Sequence, residues 1–339
     1  VNSSSDDTKI LVSSPAPTPV IPNYTSPITN FRMIDHNISG RYDGFAYSPT
    51  MSKFVAVNSG VNSSVTSITS TDGGNTWQSH TGPAGPWYDV EWSPQLNLFC
   101  AVGYCSSTKK AVMTSPDGEN WTERTTPIPT TTTSSWRLIE WIPEWSKFIA
   151  LTHGSTSETK MITSTNGINW SLVTCDPYYQ PKDSTWCPEM GLWAVTTGVN
   201  NHTFYDNSSW TTTGIKSSVI YSSSSCNGIA WSPTLGMFAM SKGKYIGTSP
   251  DAYNWYKRYT ASTTISKIEW IPELQIFCGW SDGAYSSFTM VTSSDGINWY
   301  EQDHNLNVSY LKGMAYGNGR LILTPGSMDS DKIIIADAN

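Results

Sequence analysis

The sequence predicts an all-β fold, a seven-bladed β-propeller of four-stranded antiparallel blades, from two repeated motifs and the period that they share. The first motif is an aromatic residue followed two positions later by proline, as in Trp92-Ser93-Pro94. The mean spacing between successive copies is about 45 residues, within the range of one four-stranded propeller blade. The seven copies, of which the last lacks the proline, begin at Tyr47, Trp92, Trp141, Trp186, Trp231, Trp270 and Tyr316.

A second large apolar residue follows the motif aromatic by seven positions in the first six copies. We interpret the motif as the end of the inner strand of each blade, where the missing amide of proline costs least. The second residue then belongs to the next strand of the same blade. The six residues at this position are Phe54, Phe99, Phe148, Trp193, Phe238 and Phe277.

The second motif is a turn followed by tryptophan, and residues 114–121 are its reference copy. Asp117 can accept hydrogen bonds from backbone amides two residues on, Gly118 can take positive φ, and Trp121 starts a strand with a large apolar anchor. We therefore expect these turns to close hairpins on the outer side of each blade and to have a structural role. The turn residue and the tryptophan of the six copies are Asp72 and Trp77, Asp117 and Trp121, Asn166 and Trp170, Asp206 and Trp210, Asp251 and Trp255, and Asp295 and Trp299.

The chain divides into an N-terminal arm rich in Ser, Pro and Thr, residues 1–29, and a propeller, residues 30–339. The last repeat supplies three strands and lacks its own turn motif, so its outer strand must come from elsewhere.

The spacing of Phe31 favours the start of the propeller as that missing strand. Phe31 precedes the first motif by 16 residues, the same distance that separates Trp170 from the motif that follows it. Pairing residues 31–34 with residues 332–336 would complete the last blade and remove its exposed edges. The alternative is that the strand-like run at residues 9–13 fills this place.

The composition argues against several classes of partner. The formal net charge is −7, and no basic cluster occurs beyond Lys109 and Lys110. Nucleic acids and anionic membranes are bound mainly through Lys and Arg, so we expect neither as a partner. No apolar run approaches the roughly 20 residues of a membrane span, and we expect no membrane insertion. Nine N-x-Ser/Thr sequons exceed the about six expected by chance, which favours secretion.

We expect no metal site, no cofactor and no disulfide. Cys100 and Cys278 lie at the same strand position in different repeats, so they cannot meet, and Cys175 and Cys187 are expected on opposite faces. Free, buried thiols are favoured over a disulfide. The five histidines show no spacing typical of metal ligands, and no cofactor motif occurs.

The turn motif carries a family resemblance. Its first copy has Ser70, Asp72, Gly74, Thr76 and Trp77 in the full Asp-box pattern S-x-D-x-G-x-T-W, and four further copies match a shortened form. The chain therefore resembles the Asp-box (BNR-repeat) β-propellers, which include sialidases, other glycosidases, lectins and many non-enzymatic repeat proteins. The resemblance covers about residues 30–339 and implies that the boxes lie at the blade periphery with a structural role.

The resemblance implies the sialidase-like architecture without the sialidase catalytic residues. Sialidases use an arginine triad, a Tyr–Glu nucleophile pair and an Asp acid, whereas this chain has six arginines and no Arg-Ile-Pro element near its start. Glu91, Glu140 and Glu269 recur just before the motif aromatic. An acid repeated in three blades is more typical of a bond to the neighbouring blade than of a catalytic pair, so we expect no catalytic residues.

Candidates for a ligand site lie five residues before the motif aromatic. Tyr42, Trp87 and Trp136 occupy this position in the first three repeats, and non-aromatic residues occupy it in the others. The three rings form either a binding crescent around one end of the propeller axis or packing beneath the loops that join blades. The polar neighbours that would orient a sugar or a peptide are Arg41, Asp43, Tyr88, Asp89 and Arg137.

These observations favour a non-catalytic recognition or assembly module with a glycan or protein partner. The weakly charged surface rich in Ser, Thr and Asn indicates an extracellular protein or one displayed on a virus or phage particle. Two alternatives stay open. One is a glycoside hydrolase of the sialidase-like propeller type, and the other is a purely structural subunit that joins an oligomer or larger assembly through its arm.

Overall fold

The structure, a computed structural model, describes most of the chain. The described residues are 26–60, 63–105, 111–127, 134–153, 160–173, 180–198, 201–205, 215–217, 225–281, 288–308, 311–326 and 331–338. The sixth predicted turn, with Asp206 and Trp210, lies outside them, as do Cys175 and residues 1–25.

The described chain is all-β, and consecutive strands form antiparallel groups of four. In the first group, β2 (Tyr42–Ser48), β3 (Lys53–Asn58), β4 (Ser67–Ser70) and β5 (Gln78–His80) pair in chain order. The second group is β6 (Trp87–Ser93), β7 (Leu98–Cys105), β8 (Val112–Ser115) and β9 (Thr122–Arg124). The third is β10 (Ser134–Ile142), β11 (Lys147–Thr152), β12 (Met161–Ser164) and β13 (Ser171–Val173), with a 3₁₀ turn at Pro143–Trp145.

The next three groups repeat this order. The fourth is β14 (Pro181–Cys187), β15 (Leu192–Thr197), β16 (Asn201–Tyr205) and β17 (Ile215–Ser217). The fifth is β18 (Cys226–Ser232), β19 (Met237–Lys242), β20 (Tyr245–Ser249) and β21 (Tyr256–Thr260). The sixth is β22 (Lys267–Ile271), β23 (Ile276–Trp280), β24 (Met290–Ser293) and β25 (Tyr300–Glu301).

The last group joins the two ends of the described chain. Its strands β26 (Leu311–Gly317), β27 (Arg320–Pro325) and β28 (Lys332–Ala338) pair in order, and β1 (Ile28–Asp35) pairs antiparallel with β28. Met33 lies opposite Ile334, and Ile34 lies opposite Ile333. This is the pairing of chain ends that the spacing of Phe31 predicts.

One departure from separate four-stranded sheets occurs between the second and third groups. The long strands β7 and β10 pair through Ser134 with Cys105 and Ser135 with Tyr104, so the two groups form one eight-stranded sheet. The repeat pattern alone gives no signal for this pairing.

Aromatic pairs join the first two strands of the first six groups and explain the interval of seven residues in the sequence, whereas Tyr316 lies opposite Leu321 in the last group. Trp92 lies directly opposite Phe99 in the ladder between β6 and β7, with ring centroids 4.5 Å apart. Trp231 lies opposite Phe238 in the same way, at 4.5 Å. The six residues at the second position of these pairs are completely buried, as the pattern predicts.

The Asp turns bind their own backbone and pack against the preceding sheet. The Asp117 carboxylate accepts the N–H groups of Glu119 and Asn120 at 2.9 and 2.8 Å. Gly118 has φ of +76°, and a Cβ on it would lie 2.5 Å from Val55 Cγ2 of the first group, so this position requires glycine for both reasons. The turns therefore connect neighbouring sheets, and the structural role expected for Asp117 and Trp121 is consistent with these contacts.

Cys100, Cys187 and Cys278 are free and buried, and Cys226 is also buried. Their burial in the apolar clusters between strands agrees with the expectation of free thiols.

Removal of β1 tests the pairing of the chain ends. We expect deletion of residues 1–36 to lower the free energy of unfolding by on the order of 3 kcal/mol or more, because it exposes the edge of β28 and removes the buried side chain of Ile28. Chemical denaturation measures the loss. The matched control is deletion of residues 1–25, which leaves β1 in place, and equal stability of the two deletions would contradict the prediction.

The turns offer a second test with a control supplied by the chain itself. Asp117→Ala should cost about 1 to 2 kcal/mol by leaving turn amides without acceptors, and Trp121→Ala about 3 to 5 kcal/mol by opening a cavity. Asp117→Asn should cost only about 0.5 kcal/mol. The reason is that Asn166 already accepts the N–H groups of Ile168 and Asn169 at 2.9 and 2.8 Å in the equivalent turn. Thermal melts rank the three variants, and an Asn variant as unstable as the Ala variant would refute this account.

Candidate functional site

The first strands of successive groups lie side by side and enclose a cavity. β2 lies against β6 and β26, β10 lies against β6 and β14, and β18 lies against β14 and β22. The space between β6, β10, β14, β18 and β22 has a volume of about 480 Å³, and we name it the channel cavity. A second cavity of about 550 Å³ lies towards β2 and β26 and shares Glu91 and Glu269 with the first.

The channel cavity is lined by ionisable side chains that lie one and three positions before the aromatic residue of the motif. Side chains alternate along a strand, so these two positions share a face. Four motif tryptophans also line the cavity, and two of them, Trp141 and Trp231, donate their indole N–H to Gln95 Oε1 and Glu189 Oε2. The ionisable lining residues are Asp89, Glu91, Glu140, Asp183, Lys267 and Glu269.

The two aspartates of the channel cavity connect β6 with β10 and β14 with β18. Asp89 Oδ2 accepts the backbone N–H of Ile139 at 3.0 Å, and Asp183 Oδ2 accepts that of Ile229 at 3.0 Å. Asp183 Oδ1 also accepts a hydrogen bond from Lys267 Nζ at 2.6 Å, forming an ion pair. These three side chains therefore have defined positions before any ligand arrives.

The three glutamates differ in how they are held. Glu140 accepts hydrogen bonds from the Ser184 hydroxyl and from Trp193 Nε1–H, the latter at 2.5 Å, and both donors belong to the fourth group. The expected bond to a neighbouring sheet is therefore confirmed for Glu140. In the described part of the chain, no such bond is found for Glu91 or Glu269. The Glu269 side chain is accessible from the cavity but is surrounded by protein on its other sides.

Burial, with added repulsion between neighbouring carboxyl groups, raises the pKa values of the acids in the channel cavity. Desolvation raises the pKa of Glu140 to about 7 and that of Glu269 to about 8, with added repulsion from Asp183 in both cases. Desolvation also raises the pKa of Asp89 to about 6, although the Ile139 N–H and Lys267 oppose the shift. Desolvation together with repulsion from Glu140 and Asp89 raises the pKa of Glu91 well above its ordinary value. Near neutral pH the cavity therefore holds both protonated and ionised carboxyl groups.

The aromatic candidates of the crescent lie in the packed interior. Tyr42, Trp87 and Trp136 are 3%, 2% and 0% exposed. Trp87 donates its indole N–H to the Pro83 carbonyl at 3.0 Å, and the Tyr42 ring meets His36 edge-on. The rings have no free face on which a ligand could stack, so the packing interpretation fits the observed burial.

The polar candidates beside these rings mostly bind one another. Arg41 pairs with Asp43 at 3.1 Å, and the Arg137 guanidinium lies 3.7 Å from the centroid of the Tyr88 ring. Among the eight candidates, Asp89 alone lines the channel cavity. Sequence reasoning weighed Glu91, Glu140 and Glu269 only as repeat features and missed Asp183 and Lys267. Their shared position three residues before the motif aromatic was the available signal.

No protein-family model matches the chain, and no curated protein matches it either. Among the described residues, no group of three or more His, Cys, Asp or Glu side chains is arranged to hold a metal ion. The same part of the chain contains no helix long and apolar enough to cross a membrane.

The raised pKa of Glu269 predicts the direction in which the stability of the protein changes with pH. Between its ordinary value of 4.5 and about 8, the folded protein holds this proton more tightly than the unfolded chain does. Stability should therefore fall as the pH rises through this window. In Glu269→Gln, the drop in Tm between pH 5 and pH 8.5 should be smaller than in the parent protein.

The control is Glu119→Gln at a peripheral carboxylate that pairs with Lys53 at 2.7 Å. This variant should keep the full drop in Tm. A drop in Glu269→Gln equal to that of the parent would show that Glu269 ionises normally in the channel cavity.

Proposed function

We propose that the protein is a seven-bladed Asp-box (BNR-repeat) β-propeller and that it acts as a non-catalytic recognition or assembly module. The repeated groups of four strands, the adjacency of their first strands and the pairing of β1 with β28 support a closed ring. The contacts of the Asp turns with the preceding sheet support a peripheral, structural role for the boxes. For example, Lys53 of the first group donates to the Asp117 carbonyl at 2.9 Å.

The recognition proposal rests on one observation, the polar channel cavity between the first strands. Its walls combine preorganised aspartates with two glutamates, Glu91 and Glu269, that no neighbouring sheet binds in the described chain. A saccharide offers the hydroxyl donors and acceptors that such a lining of protonated and ionised carboxyl groups recognises. A polar or basic segment of a protein partner offers similar groups. Binding of such a glycan or protein partner fits a protein that is extracellular or displayed on a virion surface.

The assembly branch of the proposal rests on the N-terminal arm. Residues 1–29 are rich in Ser, Pro and Thr, and an oligomer or larger assembly joined through this arm is the form of assembly that we propose. Light scattering on the full chain and on a chain lacking residues 1–25 distinguishes an oligomer held by the arm from one that does not need it.

A glycoside hydrolase is the second candidate, and the raised pKa of Glu140 favours it. A carboxyl group with a pKa of about 7 can serve as a general acid, and Asp89 and Asp183 supply carboxylates in the same cavity. However, Glu140 already accepts hydrogen bonds from Ser184 and Trp193, which gives it a structural role. The non-catalytic reading therefore has the stronger support.

Ligand binding with matched variants tests the proposal. A glycan array identifies a bound saccharide, and calorimetry then compares the parent with Glu269→Gln and Glu91→Gln. We expect each substitution to weaken binding about tenfold, since the amide nitrogen of glutamine cannot accept the hydrogen bonds that a carboxyl oxygen can accept from the ligand. Glu119→Gln, at the periphery, should bind like the parent.

Activity on a panel of aryl glycosides separates the two candidates. The recognition proposal predicts no turnover. Hydrolysis that disappears in Glu140→Gln would establish the enzyme instead. Unchanged affinity in both cavity variants, with folding intact by circular dichroism, would show that the ligand binds elsewhere.

A further inference from the structure

The strand β1 docks on the last sheet through a bulge. The ladder between β1 and β28 shifts register between Thr29 and Arg32, and Asn30 within the bulge has φ of +53°. Phe31 lies in this bulge and packs against the apolar cluster that contains Ile28 and Val308. The bulge therefore adds side-chain anchoring to the backbone ladder.

His304 supports the Phe31 anchor only in its neutral form. Its ring stacks on Phe288, with centroids 3.7 Å apart and planes at 8°, and meets Phe31 edge-on at 6.0 Å. Its Nδ1 accepts the backbone N–H of Leu306 at 3.1 Å, so Nε2 carries the proton and donates to the Phe288 carbonyl at 2.9 Å. A second proton on Nδ1 would face the Leu306 N–H and break that bond.

His36 lies at the other end of the strand, directly after Asp35. Its backbone N–H donates to the Asp331 carbonyl at 2.9 Å, beside the start of β28. The ring is 9% exposed and meets the Tyr42 ring edge-on at 5.8 Å. Neither ring nitrogen has a hydrogen-bond partner among the described residues, so a charge on this ring would be buried without an acceptor.

We propose that β1 is an acid-released strand: protonation of His36 and His304 detaches Ile28–Asp35 from the last sheet and exposes the edge of β28. Both rings contact the strand or its connection, one at the bulge and one at the exit. Protonation weakens docking at both ends. The strand is otherwise held by backbone hydrogen bonds, by the buried side chain of Ile28 and by the surface ion pair of Arg32 with Asp337, at 3.1 Å.

The surroundings of both rings lower the pKa values of the two histidines, which is consistent with release of the strand at low pH. Burial lowers the pKa of His36, and the carboxylates of Asp331 and Asp35 oppose the shift without cancelling it. Asp35 itself lies opposite Lys332 in the ladder. Burial also lowers the pKa of His304, against the opposing effects of the Phe288 carbonyl and Asp303.

The sign of the linkage follows from these shifts. In the docked state both histidines have pKa values below the ordinary 6.5, whereas a released strand restores the ordinary value. The released state therefore binds more protons, and release becomes more favourable as the pH falls through about 6.5.

Hydrogen exchange measured by mass spectrometry on the full chain tests the proposal. Exchange is recorded at pH 7.5, 6.5 and 5.5 and corrected for the intrinsic effect of pH on amide exchange. We expect the protection of residues 28–35 and 332–338 to fall at least tenfold between pH 7.5 and 5.5, while that of β21 stays constant. Constant protection of residues 28–35 and 332–338 over this range would overturn the proposal.

Histidine variants assign the effect. In the double variant His36→Phe with His304→Asn, protection should no longer depend on pH, because the amide oxygen of asparagine can still accept the Leu306 N–H. His80→Gln is the matched control, since His80 contacts Thr69 in the first group and lies away from β1. It should keep the full response. A full response in the double variant would overturn the proposal.

Folding of the double variant is checked by near-UV circular dichroism at pH 7.5. Should it be misfolded, His304→Asn alone decides the question. This single variant must reduce the loss of protection at pH 5.5 at least threefold, and an undiminished loss overturns the proposal.

Discussion

Aromatic pairs across the first hairpins of six groups form the centre of the packing between strands. Trp141 lies opposite Phe148 with ring centroids 4.7 Å apart, and the same pair packs against Cys100 and Val102 of the preceding group. Only 38% of the residues are hydrophobic, so the core must obtain its burial from a small number of large rings. Each pair therefore stabilises its own hairpin and the contact between two groups at once.

The Asp turns extend this coupling along the outer side of the sheets. The Trp121 indole donates to the Gly118 carbonyl at 3.0 Å within its own turn and to Ser67 Oγ of the preceding group at 2.9 Å. At the point where the chain ends meet, Arg320 donates to the Gly73 carbonyl at 3.0 Å. The turn that follows a third strand is thus bound by the neighbouring group. This arrangement accounts for repeated turn chemistry without any need for ligand contact.

The carboxyl groups of the channel cavity are not required by the repeat. Ala46, Ala230 and Ala315 occupy the position of Glu91, Glu140 and Glu269 in other groups, and each still forms a regular first strand. Burying acids that raise one another's pKa values costs stability, so a fold selected for stability alone has no reason to place them there. Their concentration around the cavity is the reason to look for a ligand in this place.

Local sequence patterns specify the strands and turns of this protein, whereas the accessibility of its side chains depends on how the sheets pack. The interval of seven residues between Trp92 and Phe99 and the Asp–Gly turn at Asp117 are local features, because each forms within a hairpin. The pairing of β1 with β28 was also readable, since the repeat lacked one strand.

Burial and long-range pairing depend instead on neighbours that sequence spacing does not identify. Trp87 and Trp136 read equally well as binding or packing residues until the adjacent groups cover them. The ion pair of Asp183 with Lys267 joins residues 84 positions apart on strands of different groups. Only the approach of those strands across the cavity brings the two charges within 2.6 Å.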